Sequence, residues 1–373
     1  MRIALIAESY PPAVGGAEFA LQKLAEGFVQ KGHEVWVVTS SWQRHDAREE
    51  RLGQLRITRV KTLPFFHRFW FILFSLPVVL RAARWADIVQ GSTFAGGPPA
   101  FLGGWLAGKK KILIVHEVWG KRWREFESSV LRALFYRMTE WIIVRLPFDH
   151  YVGVSSYTKR SLVGMGVCED RVTAIHHGDS KLDLPDVPRE NIRKDLGFST
   201  EDFVFLSYGR VGISKGFEYL TEAVPDVIRR LPHARFVLVL SGYDARIMRR
   251  IHKAIENVPS DRCLLLPSQP RAELARYLAA ADGVVIPSLS EGFGFSALEA
   301  CLAGKTLVCT EAGSLPEVVF GKYILVKPGS VPDLAEGCAL AAIGNIQVSP
   351  PKEFHWHKAV FCYLQVYQSQ LSH

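Results

Sequence analysis

IALIAESYPPAVGGAEFALQKLAEGFVQKGHEVWVV, residues 3–38, sets the grammar for the rest of the chain. Ile3 to Ala7 is an uninterrupted apolar strand and Ser9 to Gly16 is a loop rich in turn residues. Ala17 to Lys31 then carries Leu21, Leu24 and Phe28 at helical spacing. Gly32 stands where a helix ends, and Val35 to Val38 supplies a second strand. Strand, glycine-rich loop, helix and strand make a βαβ unit. Strands that are apolar throughout, rather than alternately, imply a parallel sheet covered on both faces.

The pattern recurs outward from there. Asp87–Gln90, Lys111–His116 and Tyr151–Val154 read as further short strands, each followed by a loop and a helical stretch. Residues 178–200 (GDSKLDLPDVPRENIRKDLGFST) are polar and hold two prolines, which predicts a linker with a hinge near 178–195. Beyond it, strands at Phe203–Ser207, Ala234–Leu240, Cys263–Leu266, Gly283–Ile286 and Thr306–Cys309 set out a second parallel α/β domain, with helices such as Phe217–Leu231 between them. A final helical pattern runs from Glu353 to Leu371 after a hinge at Ser349–Pro351. Doubly wound sheets bind ligands at the carboxyl ends of their strands, so two of them predict a cleft with those ends face to face.

Composition excludes several classes. With 373 residues, 48% hydrophobic and 22% charged, the chain buries real cores and is not disordered. Its six cysteines form no CxxC pair and the first is Cys168, so neither a disulfide framework nor a zinc knuckle is indicated, and a reducing, cytoplasmic compartment is expected. Only five apolar residues separate Arg2 from Glu8, too few for a secretory leader. The longest apolar run, Phe69–Leu80, has 12 residues against roughly 20 needed to span a bilayer. Net charge is +8, and residues 1–180 hold 24 Lys and Arg against 16 Asp and Glu, while the remainder holds 21 of each. The excess in the first half predicts an anionic partner there, such as a phospholipid surface, a lipid phosphate or nucleic acid.

The most informative chemistry lies in SLSEGFGFSALEACLAGKT, residues 288–306. A strand runs through Pro287 into a glycine-bearing turn and then a helix, which aims backbone N–H groups and a helix dipole at an anion. Gly292, Gly294 and Ala297, with Glu311 further on, also fit a dinucleotide fingerprint, although that motif belongs to the first βα turn of a domain. Gly304-Lys305-Thr306 resembles the end of a P-loop, but the lysine follows the helix instead of opening it and that reading fails. Glu291 and Glu299 stand eight apart around the turn. Ser296 and Glu299 also spell a capping box, in which the glutamate merely ties down the helix start. In YGRVGISKG, residues 208–216, Arg210 and Lys215 precede a helix start, where cations oppose the dipole unless an anion offsets them.

These elements together resemble the retaining glycosyltransferases of the two-domain GT-B fold, of the group 1 or family 4 type, which includes sucrose synthases, bacterial mannosyltransferases and starch synthase relatives. The likeness covers almost the whole chain. It rests on ALIAESYPPAVGGAE (4–18), KILIVHEVWG (111–120), GRVGISKG (209–216), EGFGFSALEACLAG (291–304), EAGSLPEVV (311–319) and FHWHKAVFCYLQVY (354–367). It implies two Rossmann-like domains, 1–180 for the acceptor and 181–350 for the nucleotide sugar, with a helix in 351–373 packing back on the first.

By the same likeness, Gly15 and Gly16 let the first loop approach the donor phosphate and acceptor, and Arg210 and Lys215 clamp the diphosphate. Such cations stabilise the leaving group without a metal, so no cofactor or metal is expected. Glu291 lies against the transferred sugar, Gly292, Phe293, Gly294 and Phe295 supply backbone N–H groups, and Glu299 accepts from the ribose hydroxyls. His116 projects towards the sugar. It does not belong to a zinc protease motif, because Gly120 stands where the second histidine would be.

Three departures blur the donor's identity: His176-His177-Gly178 where the family often has Asn-Gly, only Ser241-Gly242 after the 234–240 strand, and Gly313-Ser314 for Gly-Gly. The expected reaction moves a hexosyl group from a nucleoside diphosphate sugar to a glycan or lipid-linked hydroxyl. Leu63–Trp85, Lys109–Lys111 and Lys121–Arg124 interleave aromatics with cations and are the candidate surface for an anionic membrane, with a core helix carrying a basic edge as the other reading. A non-catalytic nucleotide-sugar-binding subunit and a nicotinamide oxidoreductase are the other function classes. Nucleic acid is not an expected partner, since no recognition motif accompanies the charge.

Overall fold

Continuous runs of β-branched and aliphatic residues become the central strands of two sheets. A computed structural model describes residues 1–41, 47–127, 129–242 and 244–372. It divides into one unit of Met1–Gly178 with Phe354–His373 and a second of Asp179–Glu353.

The first unit holds strands β1 (Arg2–Ile6), β2 (Glu34–Ser40), β3 (Glu49–Leu52), β4 (Leu55–Val60), β5 (Ile88–Ser92), β6 (Lys110–Val115), β7 (His150–Gly153) and β8 (Val172–Ala174). They lie in the order β3-β4-β2-β1-β5-β6-β7-β8, parallel except for the β3–β4 edge pair. Helices α1 (Gly16–Gln30), α2 (His67–Trp85), α3 (Gly97–Leu106), α4 (Trp123–Phe126), α5 (Val130–Arg145) and α6 (Ser156–Gly164) connect them.

The second unit holds β9 (Phe203–Arg210), β10 (Ala234–Ser241), β11 (Cys263–Leu266), β12 (Gly283–Ile286), β13 (Thr306–Thr310), β14 (Gly321–Val326) and β15 (Gln347–Ser349). Their order is β11-β10-β9-β12-β13-β14-β15, with only β15 antiparallel. Helices α7 (Arg189–Asp195), α8 (Phe217–Arg230), α9 (Ala245–Ile255), α10 (Arg271–Ala280), α11 (Phe295–Leu302), α12 (Leu315–Val318) and α13 (Val331–Ala342) flank it. In each sheet the order reverses at one point, between β1 and β5 and between β9 and β12. Such switch points are where doubly wound sheets open a crevice at their carboxyl edge.

The last helix, α14 (Trp356–Leu371), returns to the first unit and packs on α1. Tyr363 and Tyr367 are wholly buried against Phe28, and the Tyr367 hydroxyl donates to the Gln90 side chain. Each such ring contributes about 1.5–3 kcal/mol by leaving water, so this helix is part of the first unit's core.

The stretch read as a linker is half structured. Residues 189–195 form α7, whose Arg189 and Arg193 both pair with Asp282 and donate to the Ala280 carbonyl. That half belongs to the second unit and is not a hinge. The reason is tertiary: two arginines one helical turn apart share one carboxylate at the start of β12.

Two helices of the first unit carry exposed apolar surface. Along α2, Phe71, Ser75, Val79, Ala82 and Ala83 face the core, while Phe66, just before the helix, is 80% exposed and Phe69 and Phe74 are also exposed. Along α5 the inward residues are Ala133, Glu140, Ile143 and Val144, and Leu131, Leu134, Phe135, Met138, Trp141 and Ile142 are exposed. Lys110 and Lys111 both pair with Asp149, so the 109–111 cluster is tied to the sheet rather than standing as an open basic patch.

Candidate active site

In the second unit, the loops leaving β9 and β12 at the switch point carry most of the predicted residues. They are stitched together, because the amides of Leu289 and Ser290 donate to the Ser214 carbonyl at 2.7 and 3.2 Å. Gly216 precedes α8 with φ +66° and lies so close to the Pro287 carbonyl that no Cβ fits. Lys215 is thereby brought to Glu291, with Nζ donating to Oε1 at 2.7 Å, and Ser288 Oγ donates to the same oxygen at 2.9 Å. The cation expected to need an anion at the start of α8 thus has a carboxylate beside it. Arg210 ends β9, exposed, with its Cγ beside Gly242.

The backbone of Glu291 is braced from behind. Ser314 donates to the Glu291 carbonyl through its amide at 3.0 Å and its hydroxyl at 3.2 Å. Gly313, at φ +61°, packs on the same peptide, and a Cβ there would lie 2.7 Å from the Glu291 nitrogen. Gly292, Phe293 and Gly294 complete the turn, Phe293 is buried, and its ring meets that of Phe295 edge-on at 5.0 Å. The first amides of α11 have no intrahelical acceptor and so face outward from the helix start.

Glu299 is buried on α11. Its Oε2 accepts from the Tyr208 hydroxyl at 2.8 Å, and its Oε1 from Ser180 Oγ at 2.9 Å and Arg271 Nη1 at 3.5 Å. Burial raises its pKa, against the hydrogen bonds from Tyr208 and Ser180 and the charge of Arg271. The capping-box reading is corrected here. Gly294 caps α11, Ser296 lies inside the helix, and the carboxylate reaches across to β9 instead of back along its own helix. The dinucleotide reading also fails, because Gly292, Gly294 and Ala297 follow β12 whereas the first βα turn of this unit is 211–216.

The first unit holds the other predicted residues. Gly15 caps α1, Gly16 opens it, and the Glu18 carboxylate folds against Gly15. His116 directly follows β6, with Nε2 3.0 Å from Ser92 Oγ, and its amide donates to Thr93 Oγ1 at 3.2 Å. Burial pushes its pKa down to about 4, so the ring is neutral at pH 7. The following loop is held by buried Glu140, which accepts from the amides of Trp119 and Gly120 at 2.9 and 2.6 Å.

Within the second unit the structure therefore joins Lys215 to Glu291 directly and holds residues 292–295 and Glu299 on the adjoining turn and helix. Gly15, Gly16 and His116 belong to the first unit. Tyr208, Ser180 and Ser288 were not singled out from the sequence, and Ser314 was noted only as a departure from Gly-Gly, not as a brace for Glu291. Tyr208 carried one legible signal, since a tyrosine in an apolar strand needs a partner for its hydroxyl. Among the described residues, no three His, Cys, Asp or Glu side chains are grouped as metal ligands, and no helix is long and apolar enough to cross a membrane.

Comparison with known families accounts for both units. The model for family 4 glycosyltransferases matches residues 14–178, and that for group 1 glycosyl transferases matches residues 188–345, together most of the chain. The chain belongs to the glycosyltransferases of the GT-B fold.

This glycosyltransferase is 26% identical, over 86% of its length and 83% of the relative's, to an uncharacterized glycosyltransferase of Methanocaldococcus jannaschii. It is 24% identical, over 83% of its length and 70% of the relative's, to the alpha-monoglucosyldiacylglycerol synthase of Streptococcus pneumoniae. Among solved structures, Anabaena HepE in complex with UDP and glucose superposes with a TM-score of 0.75 at 18% identity, covering 99% of this chain and all of that one. The likeness to HepE is one of fold.

Proposed function

We propose that this glycosyltransferase is a retaining hexosyltransferase that moves a sugar from a nucleoside diphosphate to the hydroxyl of a lipid-linked or glycan acceptor. The observation that carries this reading is the Lys215–Glu291 pair at the mouth of the β9/β12 crevice, with Glu299 one turn along α11. The bond from the sugar's anomeric carbon to the diphosphate breaks, a bond to the acceptor oxygen forms, and the acceptor's proton leaves with the diphosphate. Charge develops on the departing phosphate. Lys215, Arg210 and the amides at the start of α11 neutralise it, which is the service a metal would otherwise perform.

Once a diphosphate takes Lys215, Glu291 is released to face the sugar, and Glu299 receives the ribose hydroxyls on the lone pairs left by Tyr208 and Ser180. Retention of the anomeric configuration is supported by the likeness of the EGFGFSALE element to retaining enzymes. UDP is the first base to test, given the nucleotide bound to HepE.

A lipid acceptor is supported by a relative named for making a glucosylated diacylglycerol and by the exposed face of α5. That face carries Arg132, Arg137 and Arg145 among its apolar residues, and the helix's one carboxylate, Glu140, is buried. An anionic membrane surface suits it, at the inner face of the membrane in a reducing compartment, since all six cysteines are free thiols.

Calorimetry against UDP, GDP, ADP, TDP and NAD tests the donor site. One diphosphate should bind the wild type and be weakened about 10- to 100-fold in Lys215→Ala, as expected for a lost charge-assisted contact of about 1.5–3 kcal/mol. Binding of NAD alone, or no diphosphate at all, would sink the reading.

A further inference from the structure

His116 is the one predicted sugar-facing group that directly follows a strand, and a single bond at its ring edge does not by itself fix a ring. Ser92 holds Nε2, and Thr93 holds the backbone amide. Beside the ring stands a series of other rings. His177 lies beside His116 with centroids 5.9 Å apart and planes 35° apart. Trp356 in turn stacks on His177, at 5.6 Å and 28°. Phe19, in the second turn of α1, meets Trp356 edge-on at 5.9 Å. All four rings belong to the first unit, and they join the end of β6, the segment 176–178, the first turn of α14 and the helix that follows Gly15 and Gly16.

The row is closely packed. His177 is 2% exposed. The next residue, Gly178, has no room for a side chain because a Cβ would lie 2.6 Å from Cδ1 of Trp356. On the other flank, His176 meets Phe354 edge-on at 5.8 Å. Two imidazoles side by side in a buried place remain neutral together, since burial and mutual repulsion both disfavour a proton on His177. A neutral imidazole offers one donor and one acceptor nitrogen, so its orientation and tautomer decide which of the two a sugar hydroxyl would meet. His177 falls within the His-His-Gly run that departs from the usual Asn-Gly, and an asparagine there could not supply a stacking ring.

We propose that His177 and Trp356 are positioning residues that hold the His116 imidazole in one orientation against Ser92, so that a ring from the chain's final helix sets where the sugar-facing group stands. This rests on the role given to His116 above. The test is therefore built with one arm that does not depend on turnover.

In the first arm, the imidazoles are labelled with nitrogen-15 and the His116 signals, assigned by their loss in His116→Asn, are recorded at pH 7.5. The wild type and Trp356→Phe should show one tautomer, with distinct shifts for the two nitrogens. Trp356→Ala should show shifts averaged between tautomers. If Trp356→Ala does not fold, His177→Ala against His177→Phe asks the same question, with the phenylalanine keeping the wall and the alanine removing it. In the second arm, transfer from the donor that the calorimetry selects should fall at least tenfold in kcat for Trp356→Ala. Affinity for the bare nucleoside diphosphate should stay within twofold, and Trp356→Phe should restore kcat.

Unchanged His116 shifts in both alanine variants would overturn the proposal. So would a fall in melting temperature with kcat intact. Averaged shifts in a protein that transfers no sugar would support the positioning and refute the function instead.

Discussion

Replacing Gly313 by alanine should separate catalysis from stability. Gly313 occupies the left-handed region at φ +61°, where a Cβ costs about 1–2 kcal/mol. For a unit of this size that strain alone lowers the melting temperature by about 2–8 °C, and overpacking against Glu291 adds about 1–3 kcal/mol more. The second effect is local. The new methyl would fall inside the contact radius of the Glu291 carbonyl oxygen and 2.7 Å from its nitrogen, and both obstacles are backbone that no rotamer change can clear. Relief requires the Glu291 peptide to retreat by roughly 1 Å, a misplacement that costs about 100-fold when the residue acts on the reacting bond.

The assay pairs thermal unfolding with initial transfer rates at saturating donor. Ser314→Gly is the control, because it removes the hydroxyl bond to Glu291, worth about 1 kcal/mol, without adding volume. Gly313→Ala should lose about two orders of magnitude in kcat beyond its loss of stability. A variant that melts a few degrees lower and still transfers sugar at the wild-type rate would refute the placing of Glu291 at the reacting centre.

Two further outcomes follow from side chains on each unit. Tyr208→Phe removes a hydrogen bond to the buried Glu299 carboxylate, worth about 1.5–3 kcal/mol, and should weaken UDP at least about tenfold while leaving inorganic pyrophosphate unaffected; equal losses for both in calorimetry would argue against Glu299 as the ribose acceptor. In the first unit, burial lowers the pKa values of His33, His116, His150 and His177. The unfolded chain therefore binds more protons as pH falls below about 6.5, and stability should be level above that pH and decline below it, continuing for His116 to about pH 4. Glu140 here and Glu218 and Glu299 in the second unit, raised by burial, work in the opposite direction, three groups against four. Urea midpoints that stay constant from pH 7.5 to 5 would contradict this.

The central strands were legible because each is buried on both faces and so carries an unbroken apolar run, as in Val35–Val38 and Gly283–Ile286. The edges were not. EERL in β3 is largely exposed and QVS in β15 wholly or half so, and these segments are strands through pairing with a neighbour rather than through any pattern of their own. Helix α7 hid in a polar stretch for a similar reason, since Asp282, far along the chain, holds its arginines.

In the site, Lys215, Glu291 and Glu299 could each be picked out by their place beside a glycine turn, but their partners could not. The capping box was a local explanation for Glu299, and it lost to Tyr208 and Ser180, which lie 91 and 119 residues away in sequence. No spacing rule reaches that far.

The return of α14 to the first unit has a consequence for how this protein is born. A ribosome that has released residues 1–178 still owes that unit the buried rings of Tyr363 and Tyr367, and it delivers Asp179–Glu353 first. At roughly 5–20 residues per second, the surface of α1 around Phe28 waits about 10–40 s for them, and the later-made unit is complete before the earlier one is. During synthesis, the first half of the chain is therefore the part most in need of a chaperone.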